Sequence, residues 1–303
     1  MNQKRLTENS YNWIKTRCSN ESPPAADNRR LERCGLSLQD SRYPMKVCIT
    51  HREIFYHLLH AVFQACEKKP VIAELGVLRG ENALKLYNAL APEKMVLIDS
   101  WSPAANDAYS PFDPLPAWVE PVDSYAYYYG GPMDDPATWD ALYQECLSKF
   151  VEMDNVTAIR ADTISAIEQI QPITGIDKFD LVYIDANHQY EYILRDLMYY
   201  QDLVADDGFI LLNDCCHSHL GTKQNLGVLE ALSSFLKRSD FIPLAVTNTD
   251  WSDVILVRKN SIMVKLVDMA LTNSDIPFVE IPHQLISAAK VIRGQQRVNI
   301  SFA

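Results

Sequence analysis

The chain lacks a basic block. Lys and Arg number 28 against 39 Asp and Glu, leaving a formal charge of −11 over 303 residues. The electrostatic footprint of a non-specific nucleic-acid binder is therefore missing, and no nucleic-acid partner is expected. An acidic bulk still admits a small charged substrate. No run of about 18 apolar residues occurs anywhere, so no membrane-spanning helix and no membrane partner are expected. The opening MNQKRLTENSYNW is too polar for a signal peptide, and the expectation is a soluble, cytoplasmic protein. The seven cysteines include no C-x-x-C pair. An odd, scattered set argues against a disulfide framework and against structural zinc. The adjacent Cys215 and Cys216 read as small residues packed at a strand end rather than as a redox pair. No internal repeat is visible.

The chain does have enough apolar residues, 48%, to bury a sizeable core. Three regions are expected. Residues 1–49 form a polar, irregular N-terminal extension, residues 50–258 the main domain, and residues 259–303 a C-terminal helix and tail. Within the main domain, THRE (Thr50 to Glu53) has capping-box spacing before a helix. Apolar runs at 71–75, 95–98, 156–160 and 179–185 read as strands and DDGFILLND as a turn and strand, with helical periodicity between them. Two closing strands, Phe241–Val246 and Val254–Val257, flank a short connection and are expected to pair antiparallel. This alternation predicts an α/β, doubly wound fold with helices on both faces. The segment 101–137 is an exception. It is rich in proline and aromatics and has no period, which in so long a connection points to function.

In such sheets ligands bind beyond the carboxyl ends of the strands. The first of these strands runs into AELGVLRGEN, placing Glu74, Gly76 and Gly80 as E-x-G-x-x-x-G in a strand-to-helix turn. Glycine permits a sharp turn and a close approach to a ligand. The spacing is not the G-x-G-x-x-G of dinucleotide sites, and no P-loop lysine follows. Asp99 ends the next strand, about 20 residues on, where an acid can accept from ribose hydroxyls. Asp162 follows the third strand, where it can accept from an adenine amino group or cap the next helix. Together they place an adenosine-like ligand across three strand ends.

Two more strand ends carry polar groups. FDLVYIDANHQY puts Asp185 at one, with His188 three residues on, and Asn213–Asp214 closes the next. Adjacent strands lie about 4.8 Å apart. Asp185, Asp214 and the amide oxygen of Asn213 can therefore converge on one hard cation, Mg²⁺ first, with Mn²⁺ or Ca²⁺ as alternatives. Capping of the strand ends is the competing role for both acids. His217 and His219 lie on the following loop as alternative ligands or bases.

The order of these elements resembles class I S-adenosylmethionine-dependent methyltransferases over roughly residues 50–258. ELGVLRG, LIDSW and IDANHQYEYILRDLMYYQDLVADDGFILLND are similar to a narrower group, the metal-dependent small-molecule O-methyltransferases of the macrocin and cephalosporin-cluster type. The resemblance implies a mostly parallel, seven-stranded sheet with one antiparallel strand. It also implies S-adenosylmethionine as donor, with Glu74 and the glycine loop at its methionine part, Asp99 and the adjacent Ser100 at ribose, Asp162 and Thr163 at adenine, and Asp185 completing the donor contacts. It implies a divalent cation at Asp185, Asn213 and Asp214, though relatives usually have an acid where this chain has Asn213, and the loss of that charge weakens the site. It implies His188 as general base; its ordinary pKa near 6.5 suits the task. After Gly80 the chain reads ENA where relatives often have small residues; Asn82 is placed to cap the helix, and Glu81 either narrows the site or turns to solvent.

The expected reaction is methyl transfer to a hydroxyl of a small molecule: a sugar, a glycosylated natural product or another diol that chelates the metal. The 101–137 segment would wall the acceptor pocket with Trp118, Tyr125, Tyr127, Tyr128 and Tyr129. Two other readings stand beside it: a non-catalytic S-adenosylmethionine-binding or assembly protein, kept open by Asn213, and an NAD-dependent oxidoreductase, disfavoured by the glycine spacing. A homo-oligomer stays open.

Overall fold

The computed structural model describes residues 43–104, 117–295 and 298–302. The expected N-terminal extension up to residue 42 and the middle of the 101–137 segment lie outside these. In chain order the elements are β1 (Met45–Cys48), α1 (Arg52–Ala65), β2 (Val71–Leu75), α2 (Glu81–Leu90), β3 (Lys94–Asp99), α3 (Ala126–Tyr129), α4 (Pro136–Lys149), β4 (Val156–Arg160) and α5 (Thr163–Thr174). Then come β5 (Phe179–Ile184), α6 (Tyr190–Tyr200), β6 (Val204–Leu212), α7 (His219–Lys223), α8 (Val228–Leu236), β7 (Phe241–Thr247), β8 (Val254–Arg258), α9 (Met263–Thr272), β9 (Phe278–Ile281), β10 (Lys290–Arg293) and β11 (Val298–Ser301).

The main sheet runs β4-β3-β2-β5-β6-β8-β7-β1-β9. β2 pairs in parallel with β3 and β5, and β5 with β6. β8 is antiparallel to both β6 and β7. The doubly wound fold class is as expected, but the sheet has nine strands rather than seven. β1 adds in parallel to β7, and β9 adds antiparallel to β1. Each of the two extra strands has four residues, too short to stand out as a run among irregular neighbours.

Period-2 alternation along β5 divides the core. Leu181 and Tyr183 face one apolar cluster with α1, α2, α4 and α9; Val182 and Ile184 face the other with α5, α6 and α8, joined by Phe179 across the register shift between Phe179 and Leu181. All six residues of β5 are buried, which is why the strand reads as a continuous apolar run. α1 starts at Arg52 with His51 as N-cap and no side-chain cap bond. The expected capping box does not form, because Glu53 is drawn instead to Lys85 of α2 at 2.8 Å. The chain runs from β2 out to β4 on one side and returns to β5 on the other. The switch point therefore falls between the ends of β2 and β5.

Candidate active site

A cavity of about 1360 Å³ opens at that switch point, lined by residues after β2, β3, β5 and β6. Gly76 shows why the first turn needs glycine. Its φ is +82°, and a Cβ there would lie 2.1 Å from the Asp185 carbonyl oxygen. Only a residue without a side chain lets the loop close on the end of β5. Gly80 also has a left-handed φ, but it faces away: its Cβ would meet Phe150 and Cys146. It lies outside the cavity and serves helix packing.

Asp99 holds this loop from below. Its Oδ2 accepts from Val77 N and Leu78 N, each at 2.9 Å, and its Oδ1 from Trp101 N at 2.8 Å. Burial raises its carboxyl above the ordinary value, opposed by these backbone donors. Ser100 lies beside it in the cavity wall. Glu74 is 0% exposed. Its Oε1 accepts from Asn82 Nδ2 at 2.9 Å, so Asn82 does not cap α2. Among the described residues nothing donates to Glu74 Oε2, and burial pushes the carboxyl well up. Glu81 is exposed and lines the cavity. Asp162 caps α5, its Oδ1 accepting from Ile164 N and Ser165 N at 3.1 Å each. The Thr163 hydroxyl donates to Asp196 Oδ1 at 2.6 Å, which leaves its neighbour Asp162 as the acceptor facing the cavity.

The second half of the cavity is a charged cluster. His188 Nε2 lies 3.1 Å from Asn213 Oδ1, 3.4 Å from Asp185 Oδ1 and 3.8 Å from Asp214 Oδ2. Burial alone would lower its pKa; the Asp185 hydrogen bond, the charges of Asp214 and Asp185 and the Asn213 contact outweigh it and raise it to about 9. Asp214 adopts φ 53°, a left-handed conformation that stores strain in a non-glycine residue.

Three members of this cluster were missed in the sequence. Arg52 places Nη1 3.9 Å from Asp185 Oδ2, Nη2 3.5 Å from Asp214 Oδ1 and Nε 3.3 Å from Asp253 Oδ1. Asp253, 0% exposed, accepts from Tyr183 OH at 2.9 Å and Asn213 Nδ2 at 3.1 Å. Arg52 was hidden inside the apparent capping box, Tyr183 inside an apolar strand and Asp253 in a polar turn. The sheet order that joins them is a long-range property. The histidines at 217 and 219 do not reach the cavity; His217 pairs with Glu230 at 3.2 Å.

A family model for a methyltransferase domain matches residues 73–215, a span holding the glycine loop, Asp99, Asp162, His188 and Asp214. These residues form a methyltransferase domain. No curated protein sequence matches the chain. Among solved structures, the O-methyltransferase TomG of Streptomyces achromogenes, in complex with S-adenosylmethionine, is 15% identical over 85% of this chain and 99% of that one, with a TM-score of 0.43. The S-adenosylhomocysteine-bound methyltransferase PaMTH1 of Podospora anserina is 17% identical over 78% and 98%, at 0.38. Fibrillarin of Aeropyrum pernix, with natively bound S-adenosylmethionine, is 14% identical over 62% and 66%, at 0.41, just under two thirds of its own length.

The methyltransferase domain's donor cradle fits S-adenosylmethionine. The unpartnered Glu74 Oε2 suits an ammonium group, the turn at Gly76 admits close approach, and Asp99 and Ser100 lie in the same cavity wall. The fit for a divalent ion is poor. Among the described residues no group of three or more His, Cys, Asp or Glu is placed to hold a metal. A guanidinium already lies among the carboxylates, and the Asn213 amide is engaged at both ends.

The far wall comes from the 101–137 segment. Tyr125, Tyr127, Tyr128 and Tyr129 line the cavity with Trp251. Trp118 does not; it is 65% exposed outside it. Glu120 ties this wall to α7, pairing with Lys223 at 2.8 Å. Among the described residues no helix is long and apolar enough to cross a membrane.

Proposed function

We propose that the chain is an O-methyltransferase acting on a small hydroxylated molecule, with His188 as the base. The observation that carries this is a single cavity with two halves: the donor cradle, and a histidine held among Asn213, Asp185 and Asp214. S-adenosylmethionine supplies the methyl group. The acceptor oxygen forms the new O–CH₃ bond as the sulfonium S–CH₃ bond breaks, and the hydroxyl proton passes to His188.

Which nitrogen of His188 takes the proton follows from its neighbours. Asn213 donates from Nδ2 to Asp253 Oδ1 and presents its Oδ1 to His188. Nε2 then carries a hydrogen, and Nδ1 is the nitrogen that accepts. Raised to about 9, the imidazole is protonated at neutral pH and must first lose that proton. The tyrosine wall gives the acceptor stacking surface, as a planar or sugar ring requires. The divalent ion expected from the sequence would fall where Arg52 lies, and none of these steps runs through it.

Incubation with methyl-labelled S-adenosylmethionine and a panel of sugars, diols and phenols tests the reading. The expected result is label in an O-methyl product. Donor binding with no transfer to any hydroxyl compound, at alkaline pH as well as neutral, would favour a non-catalytic binding protein instead.

A further inference from the structure

We infer that Arg52 holds the position of a metal ion in this site and supplies a single positive charge there, so that methyl transfer proceeds without a divalent cation. The inference rests on the methyltransferase reading and deepens it.

Arg52 is the first residue of α1, outside the matched span, and its guanidinium contacts three carboxylates from three different strand ends. A Mg²⁺ ion bound by Asp185 and Asp214 needs their oxygens at about 2.0–2.1 Å in near-octahedral order. It would have to displace the guanidinium to gain them. Arg52 is not free to leave. Its Nε pairs with Asp253, which is fully buried and outside the cavity wall, and its Nη1 donates to Tyr183 OH at 3.2 Å. Withdrawing it would strand a buried carboxylate without its cation, which is strongly unfavourable. Asp253 therefore anchors the guanidinium from behind while Asp185 and Asp214 face it from the cavity side.

Asn213 fits the same account. A site built for a divalent ion gains from an acid at that position. A site holding a monovalent guanidinium needs one negative charge fewer, and the amide oxygen faces His188 instead of a metal. Arg52 also lines the cavity. Its planar fork of donors offers a fixed positive charge to an acceptor oxygen as that oxygen loses its proton.

Paramagnetic resonance of Mn²⁺ titrated into the full-length protein tests this without an activity readout. Wild type should leave the free-Mn²⁺ signal unattenuated up to millimolar protein and metal, and its rate should not change on chelation. The double substitution Arg52→Ala with Asn213→Asp should attenuate the signal at one ion per chain, and adding Asp185→Asn should abolish that. Stoichiometric attenuation by wild type, lost in Asp185→Asn, would overturn the inference. So would a folded double variant that leaves Mn²⁺ free. If the double variant does not fold, the wild-type titration decides alone. Calorimetry with S-adenosylhomocysteine on the same samples separates the two levels. Absent donor binding counts against the methyltransferase reading, whereas Mn²⁺ binding with intact donor binding counts only against the role of Arg52.

Discussion

His188 is where three neighbours decide one proton. Asn213 fixes its tautomer, and Asp185 with Asp214 holds it charged up to about 9. His188→Ala should lower the methyl-transfer rate by about 10²–10⁴-fold, the usual size of a general-base contribution, with donor affinity unchanged in calorimetry. In wild type the log of kcat/KM should rise with unit slope and level off near pH 9, well above an ordinary histidine. A plateau already reached near neutrality would mean that the carboxylates do not govern the base. Tyr183→Phe removes one donor from buried Asp253 and one acceptor from Arg52. It should cost about 1–3 kcal/mol in chemical denaturation, the range for a buried group losing its hydrogen bond. His188, Asp185 and Asp214 were readable from D-x-x-H and the strand-end acids. Arg52 was not, because a residue's partner across the sheet leaves no local pattern.

We propose that donor binding depends on the strand-to-helix turn after β2. Asp99 accepts from the two loop amides at 77 and 78, and Gly76 lets the loop touch the end of β5. Gly76→Ala puts a Cβ into the Asp185 carbonyl at a left-handed φ. It should destabilise the fold by at least about 1–2 kcal/mol, the conformational cost alone, and sharply weaken S-adenosylhomocysteine binding; unchanged melting and affinity would contradict the packing described. Gly80→Ala should leave donor affinity far less affected, since its contacts are Phe150 and Cys146 rather than the cavity. The two glycines look alike in E-x-G-x-x-x-G, and only the structure separates a ligand-facing turn from a helix-packing one. The aromatic run at 125–129 lines the cavity, while Trp118 does not, since exposure is set by the turn that carries it.

Across the whole molecule, the parallel order and the antiparallel closing pair followed from apolar runs and loop lengths. The added strands β1 and β9 did not, because four-residue strands carry too little pattern. The site also sets a pH dependence of stability. His188 and buried Glu74 both bind protons more tightly folded than unfolded, so the folded state holds more protons and stability falls as pH rises. The His188 contribution is complete below its ordinary 6.5 and lost through about 9. The melting temperature should drop across that window, and His188→Gln should flatten the drop. A melting temperature that rises over this range would contradict the charge arrangement.

The central claim is that one cavity at the switch point holds an S-adenosyl donor. Calorimetric titration of the wild-type protein with S-adenosylhomocysteine, and in parallel with NAD, tests it most directly. The account predicts saturable binding at one molecule per chain for S-adenosylhomocysteine and none for NAD. Saturable NAD binding with no heat from S-adenosylhomocysteine would contradict it.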